Sequence, residues 1–378
     1  MPVALTEEQR SFLDAVRDFC ARECGSRQDD AFNSDAVSHS EEIAARMADL
    51  GWLGVSIPEE YGGSGGGLVE ACLLIEEIAR GRAPMTSFMV TLIIANAYRK
   101  FASEPLKHEV LGGIAQGRVE SIAMSEPEAG SDVASLTCRA EPVDGGYLVN
   151  GQKTWCTNAH IADHILLVCR TSSEGAKHEG LSMLSIPTGV AGLDRRPIPT
   201  MGGRDVNDLF FTDCFIGEDR LIGTDGRGWA QLTAGLNIER VLAGGLYIGY
   251  ARRSFELVLD YVKQRKQFGR PVGSFQALAH RIADLATEIE ATRLLVYDVA
   301  RQVDQNPDKL LPREASMVKL KATELAKRAS LEGMQMMGGY GYASEYDMER
   351  LVRATLVGTI AGGTSEIQRE VIAKTYGL

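Results

Sequence analysis

Of the 378 residues in this chain, Glu239 has the most chemically suggestive surroundings. It lies in GWAQLTAGLNIERVLAGG, a stretch of helical period, where its neighbours three and four residues away are Gly235, Leu236, Leu242 and Ala243. None of the four carries a polar side chain. A carboxylate alone on such a face loses hydration and becomes a better proton acceptor than an exposed one, as a general base must be. Gly235 on one side and Gly244-Gly245 on the other each weaken a helix by roughly 1 kcal/mol relative to Ala, so the spacing predicts that something packs closely there. The plain alternative is a Glu239 paired with a basic residue in the core. A second candidate is SIAMSEPEAGSD, Ser121–Asp132. Its apolar start reads as a strand end that Pro127 breaks, and Glu128–Asp132 follows as a loop of small residues with hydroxyls and free amides. Such a loop lets a flat ligand come close to the backbone, although by itself it is equally a surface turn. Third, Arg265 at the end of a long helical run suits a pyrophosphate, while Lys263–Arg270 alone reads as a solvated basic stretch.

The glycine-rich run Gly62–Gly67 imitates two catalytic motifs without their context. GGSGG fits a nucleophile elbow, but Pro58-Glu59-Glu60-Tyr61 precedes it where a strand is required. Leu68 stands where a dinucleotide fingerprint needs glycine, which leaves a connector.

The elements that must hold these residues change period twice along the chain. Thr6 is predicted to cap a first helix with an inward stripe of Phe12, Leu13, Val16 and Phe19. Further helices are expected at 41–50, 68–80, 84–101 and 106–116. From Ile122 the period becomes strand-like, with strands at 164–170, 181–187 and 208–216. Asp144-Gly145-Gly146 and Asn150-Gly151 are turn signals, the second predicting a tight hairpin. After Gly228 helical period returns, over 229–264, 275–302, 311–337 and 366–376. The fold class expected is therefore α+β, with an N-terminal helical bundle at 1–120, a middle antiparallel β domain at 121–225 and a C-terminal helical bundle at 226–378.

Composition is that of an ordinary globular protein, 44% hydrophobic and 24% charged. The net charge of −11 disfavours nucleic acid or an anionic membrane as partner. No apolar run nears the ~20 residues of a membrane span, and the N-terminus lacks a signal-peptide core, so a cytoplasmic location is expected. The seven cysteines show no paired spacing and no metal-ligand pattern with histidine, so no metal is expected.

Six ordered motifs give the chain a family resemblance: SIAMSEPEAGSD, NGQKTWCTNA (Asn150–Ala159), ERVLAGG (Glu239–Gly245), RKQFGRP (Arg265–Pro271), QMMGGYGY (Gln335–Tyr342) and GGTSEIQR (Gly362–Arg369). Together they resemble the acyl-CoA dehydrogenase family of flavoproteins over nearly the whole length. The resemblance implies FAD-dependent α,β-dehydrogenation of an acyl-CoA to the trans-2-enoyl-CoA, with electrons passed to an electron-transfer flavoprotein. It also implies a homo-oligomer, at least a dimer and expected as a dimer of dimers. By the same resemblance Ile122, Met124, Ser125, Trp155 and Thr157 line the isoalloxazine, although Trp155 alone could be a core aromatic. Arg265, Gln267, Phe268, Gln335, Gly338 and Gly339 match residues lent to the FAD of a neighbouring subunit, and Thr364 and Glu366 also belong to the cofactor set. Ser131, Leu236, Arg240 and Gly363 belong to the substrate set.

The base is where the chain departs from the commoner pattern. Many members carry Glu immediately before the Gly-Thr of the last motif, and here that residue is Gly362. Other members, including the isovaleryl and long-chain enzymes, place it on the long helix before an Arg, as Glu239-Arg240 stands here. Helical spacing and the resemblance thus both point to Glu239 as the base. The rivals are the same chemistry on an acyl or aminoacyl carrier-protein thioester, an oxygen-using flavin enzyme, and a silent subunit, the last two disfavoured by Glu239. Gly358, Ala361 and Gly362, small residues leading into the last motif, are expected to border a roomy acyl cavity.

Overall fold

The computed structural model describes residues 3–24 and 39–378. Helix α1 (Glu7–Glu23) starts where expected: Thr6 Oγ1 accepts the Gln9 N–H at 3.1 Å and the Gln9 side chain returns to the Thr6 N–H, a reciprocal cap that satisfies two orphan donors. Ser40 caps α2 (Glu41–Asp49) in the simpler way. The glycine run folds back on its own approach, the Ser64 and Gly66 amides donating to the Gly54 and Val55 carbonyls, so its glycines serve a compact connector. Helices α3 (Leu68–Arg80), α4 (Phe88–Phe101) and α5 (Glu104–Ala115) follow.

Strands β1 (Glu120–Ala123), β2 (Arg139–Val143), β3 (Gly146–Thr157), β4 (His164–Arg170), β5 (Leu181–Pro187), β6 (Leu193–Thr200), β7 (Gly203–Gly217) and β8 (Leu221–Ile222) form one sheet. Its order is β6-β7-β3-β2-β4-β5-β8, with β1 added parallel to β4 and most other pairs antiparallel. Then come α6 (Gly228–Gln264), the short ladder β9 (Lys266–Gln267) and β10 (Arg270–Pro271), and helices α7 (Gln276–Gln305), α8 (Pro312–Met337), α9 (Gly339–Tyr342), α10 (Met348–Leu356) and α11 (Ser365–Lys374).

One turn falls elsewhere than the sequence predicts. The β2–β3 hairpin closes at Asp144-Gly145, and Asn150-Gly151 lies inside β3. There it makes a β-bulge, with a register shift against β7 between Val149 and Gly151. The Asn150 side chain exchanges hydrogen bonds with Asp213, and a Cβ on Gly151 would stand 2.7 Å from Cys138 Cα. The left-handed tolerance of Asn-Gly bends a strand here instead of reversing the chain.

The described residues divide into two compact units. The sheet unit holds residues 39–67 and Ser87–Glu239: α2, α4, α5, the eight strands and the first part of α6. Its core packs one face of the sheet through Val149, Ile165, Leu167, Leu184, Leu209 and Cys214, each contributing about 1–3 kcal/mol of burial. The helical unit holds residues 3–24, Leu68–Thr86 and Arg240–Leu378, that is α1, α3, the rest of α6 and α7–α11. Gly244, Gly245 and Gly249 of α6 are explained within this unit. A Cβ on Gly244 would lie 2.3 Å from Val318 Cγ1, and one on Gly249 would lie 2.3 Å from the Glu76 carbonyl oxygen. Neighbouring helices, rather than a ligand, are what pack against Gly244 and Gly245. Buried Glu76 completes this core by accepting from Arg293 Nε at 2.8 Å, from Tyr297 Oη and from Arg252.

Candidate active site

In the sheet unit, the first motif and the NGQKTW motif are tied together by hydrogen bonds. Ser121 Oγ donates to the Thr157 carbonyl at 2.7 Å, and the Thr154 N–H donates to the Ser125 carbonyl at 2.9 Å. Between them lies a buried ion pair: Lys153 Nζ is 2.8 Å from Glu126 Oε1 and also donates to the Met124 carbonyl at 2.9 Å. The other donors to Glu126 are the Thr137 N–H and hydroxyl and the Cys138 N–H, at 2.7–2.9 Å. Burial alone would raise the Glu126 carboxyl, but the Lys153 ammonium and these N–H groups outweigh it and hold it below the ordinary value. The ion pair therefore fixes the backbone on both sides of Ser125.

On that scaffold Ile122, Met124, Ser125 and Thr157 are half-buried, and the Ser125 and Thr157 hydroxyls have no partner among the described residues. Trp155 is not a core aromatic. It is 60% exposed in the left-handed region at φ 61, beside a second register shift between Lys153 and Cys156. A bulky residue rarely adopts that conformation, which turns the indole out of the sheet. Ser131 is exposed on the loop after Ala129, and that loop closes on itself through paired Glu126–Ala129 backbone bonds. Its amides are thus less free than the sequence predicts, although a Cβ on Gly130 would meet nothing within 4 Å.

Glu239 lies on α6 at the end of the sheet unit. It is half-buried, as are Gly235 and Leu236, whereas Leu242 and Ala243 are buried. The face is drier on the C-terminal side of the carboxylate than on the N-terminal side, where a Cβ on Gly235 would meet only Asn96 Nδ2 at 4.0 Å. Arg240, the next residue, is buried.

The helical unit carries the remaining predicted residues in two groups. Arg265, Gln267 and Phe268 belong to the β9–β10 hairpin, whose turn is Phe268-Gly269 at φ 52 and 78, the two positive values of a tight I′ turn. Its tip leaves Phe268 92% exposed. The Arg265 guanidinium sits 5.5 Å from the Tyr340 ring, beyond the end of α8, where Gln335, Gly338 and Gly339 are exposed and a Cβ on either glycine would meet nothing. The second group is the turn into α11. Gly362 and Gly363 have φ 62 and 80, Thr364 caps the helix through the Ile367 N–H, and exposed Glu366 lies in its first turn. The Glu366 carboxyl is lowered by backbone and Thr364 hydrogen bonds. A groove of about 710 Å³ between α8 and this turn is lined by Lys327, Arg328, Leu331, Ile360, Thr364 and Glu366. Gly358 does not border a cavity, since a Cβ there would lie 2.4 Å from the Tyr247 ring. Its smallness seats an aromatic side chain.

Sequence reasoning missed Glu126, Lys153, Lys319 and Gln368. The parity of β3 could have signalled Lys153, which shares the inward face of Tyr147 and Val149. Helical period could have signalled Lys319, which falls on the α8 stripe Ala315, Ala322, Ala326 and Ala329.

Comparison with known proteins is uniform along the chain. The N-terminal, middle and C-terminal domains of acyl-CoA dehydrogenases match residues 6–118, 121–214 and 226–377. The mitochondrial isovaleryl-CoA dehydrogenase of Solanum tuberosum is 33% identical over 375 residues, covering 97% of this chain and 90% of the relative. Among solved structures, an acyl-CoA dehydrogenase from Geobacillus kaustophilus superposes with a TM-score of 0.92 at 32% identity, covering 99% of each chain. The FAD complex of PigA superposes with a TM-score of 0.91 at 28% identity over the whole of both chains.

Proposed function

The chain belongs to the acyl-CoA dehydrogenase family, and from that premise we propose how its residues divide the work. The reaction is FAD-dependent α,β-dehydrogenation of an acyl-CoA thioester to the trans-2-enoyl-CoA. FAD supplies the hydride acceptor when bound. The residues of the sheet unit fit a flavin. The Trp155 indole presents an exposed plane, the Ser125 and Thr157 hydroxyls are available to ring heteroatoms, and Ile122 and Met124 offer half-buried apolar surface. The observation that carries this assignment is the outward Trp155 at φ 61 on a strand locked by the Lys153–Glu126 pair. Strain at such a residue persists only where its surroundings impose it.

Glu239 is the base: its carboxylate takes the α proton while the hydride leaves the β carbon. Leu236, Arg240 and Ser131 bind the acyl-CoA. Gly363 belongs to the same substrate set, and Thr364 and Glu366 to the cofactor set. Arg265, Gln267, Phe268, Gln335, Gly338 and Gly339 serve the FAD of a neighbouring subunit in a homo-oligomer. That assignment is supported by Phe268, a large apolar ring held 92% exposed at the tip of the β9–β10 turn. Electrons leave to an electron-transfer flavoprotein, in the cytoplasm. Residues 1–120, 121–225 and 226–378 are the functional segments. Among the described residues no helix is long and apolar enough to cross a membrane.

Anaerobic mixing of the FAD-loaded protein with acyl-CoAs, from short branched to long straight chains, tests the reading. At least one is expected to bleach the flavin within seconds. An FAD-loaded protein that no acyl-CoA bleaches would overturn it.

A further inference from the structure

The turn into α11 is held from behind by two buried side chains that the reaction as described does not use. Lys319 on α8 is 2% exposed, and its Nζ donates to the Gly363 carbonyl at 2.6 Å. Gln368 on α11 is fully buried, and its Nε2 donates to both the Gly362 and the Gly363 carbonyls at 3.1 Å. The peptides are trans, so drawing these carbonyls inward turns the Gly363 and Thr364 N–H groups the opposite way. Among the described residues neither N–H has a protein acceptor. Two consecutive glycines at φ 62 and 80 permit the conformation, and a Cβ on Gly363 would stand 2.8 Å from Gln368 Nε2. An ammonium buried this deeply is costly to desolvate and is kept only where it makes strong contacts. A cation on a carbonyl also polarises that peptide and strengthens its N–H as a donor. Nearby, Gln368 Oε1 and Ser365 Oγ are buried with no hydrogen-bond partner among the described residues.

We propose that Lys319, with Gln368, is a positioning residue of the dehydrogenation: it clamps the Gly362–Thr364 turn so that the Gly363 and Thr364 amides stand as fixed, polarised donors to an oxygen of the bound thioester or flavin. The inference rests on the reading that Gly363 and Thr364 serve those ligands. Both ligands present the same chemistry, an oxygen bearing partial or full negative charge, and donors fixed before that charge develops act most strongly.

The test compares wild type with Lys319→Met and Lys319→Arg as full-length, FAD-loaded enzyme. Three measurements are made: anaerobic flavin reduction by the best acyl-CoA, FAD affinity, and isotope-edited infrared of the bound enoyl-CoA carbonyl. Lys319→Met is expected to slow reduction about 10–100-fold, less than the loss of a direct donor would. A smaller infrared shift of the thioester carbonyl would assign the donors to the substrate, and FAD affinity lowered at least about tenfold would assign them to the flavin. Lys319→Arg, which keeps the charge, is expected to recover part of the effect. A Lys319→Met enzyme with reduction rate, carbonyl frequency and FAD affinity all within about twofold of wild type overturns the proposal, whatever its melting temperature. Should that variant not fold, Gln368→Met answers through the same measurements, with about 3–10-fold expected and no change refuting. A wild-type protein that no acyl-CoA reduces would instead refute the reading beneath it.

Discussion

Replacing Glu239 with glutamine separates a proton acceptor from a structural carboxylate. Gln keeps the volume and the packing beside Leu236 but takes no proton near neutral pH. Loss of a general base costs roughly 10²–10⁴-fold, about 3–5 kcal/mol of barrier. Glu239 is half-buried on α6, so an ion pair there belongs with partly exposed pairs worth about 1 kcal/mol or less, not with buried ones worth about 3–5. In a protein of this size that shifts the thermal midpoint by only about 1–2 °C. Stopped-flow flavin reduction and a melting curve on the same preparation therefore give opposite signatures for the two roles. The expected result is a fall in the reductive rate of at least 100-fold with a nearly unchanged midpoint and retained FAD. A midpoint lowered by many degrees with near-normal reduction would refute the assignment. With Gly362 in the last motif, the base would then have to be sought on another element.

Phe268→Ala should leave the isolated hairpin intact, because its turn is set by backbone φ, but should weaken subunit association and FAD retention together. Light scattering and flavin content measure both, and an unchanged oligomer with full FAD would refute it. Glu126→Gln leaves the Lys153 ammonium buried against a neutral partner and should cost about 3–5 kcal/mol, read as a lower denaturant midpoint and looser flavin binding. Burial pushes the Glu120 carboxyl up to about 7, and His164, with Nδ1 3.4 Å from it, only partly offsets this. Folded Glu120 thus keeps a proton that the unfolded chain releases from about pH 4.5, so stability should fall as pH rises from there through about 7. The slope belongs to the pair, because His164, lowered by burial but raised further by Glu120 and Glu109, also contributes stability that is lost as pH rises. Glu120→Gln should flatten that slope in melting curves between about pH 5 and pH 8. An unaltered slope would place the titration on another group.

The fold was legible wherever apolar spacing repeats over a dozen residues. α3 runs Leu68–Arg80 as the spacing predicts, and β4 and β5 match the predicted 164–170 and 181–187. β6 was missed because Leu193–Thr200 is an edge strand, polar at half of its positions and carrying two prolines, so it presents no apolar alternation to read. α10, Met348–Leu356, is short and lies beyond a glycine-rich break, which hid its stripe. The Asn-Gly in β3 shows a different limit. A dipeptide tolerant of positive φ announces that the chain bends, while the partner strand decides whether the bend is a turn or a bulge.

The proposed ligand-facing groups of the candidate site can be named from residue type, whereas its supports show in the sequence only through the periodicity of their elements, and one physical cause accounts for both. Residues proposed to meet a ligand keep recognisable chemistry, such as the hydroxyls of Ser125 and Thr157 or the carboxylate of Glu239, whatever packs behind them. A supporting residue is defined by what it touches. Lys153 in β3 and Lys319 in α8 look in sequence like two more surface lysines of an acidic protein, yet each buries its ammonium on a backbone carbonyl, of Met124 and of Gly363. Both carbonyls sit next to residues of the candidate cofactor set, Ser125 and Thr364. The two units thus use one device in unrelated local structures, a strand end and a helix entrance: an inward lysine fixes a peptide next to a residue of the candidate cofactor set. If that device is general in this chain, Lys153→Met should disturb flavin binding more than any single replacement of Ser125 or Thr157. Each hydroxyl supplies one hydrogen bond worth about 1 kcal/mol, whereas the lysine positions the backbone that carries them. Titrating FAD into Lys153→Met, Ser125→Ala and Thr157→Val settles the order. A Lys153 variant that binds FAD as tightly as either hydroxyl variant would show that the sheet alone suffices.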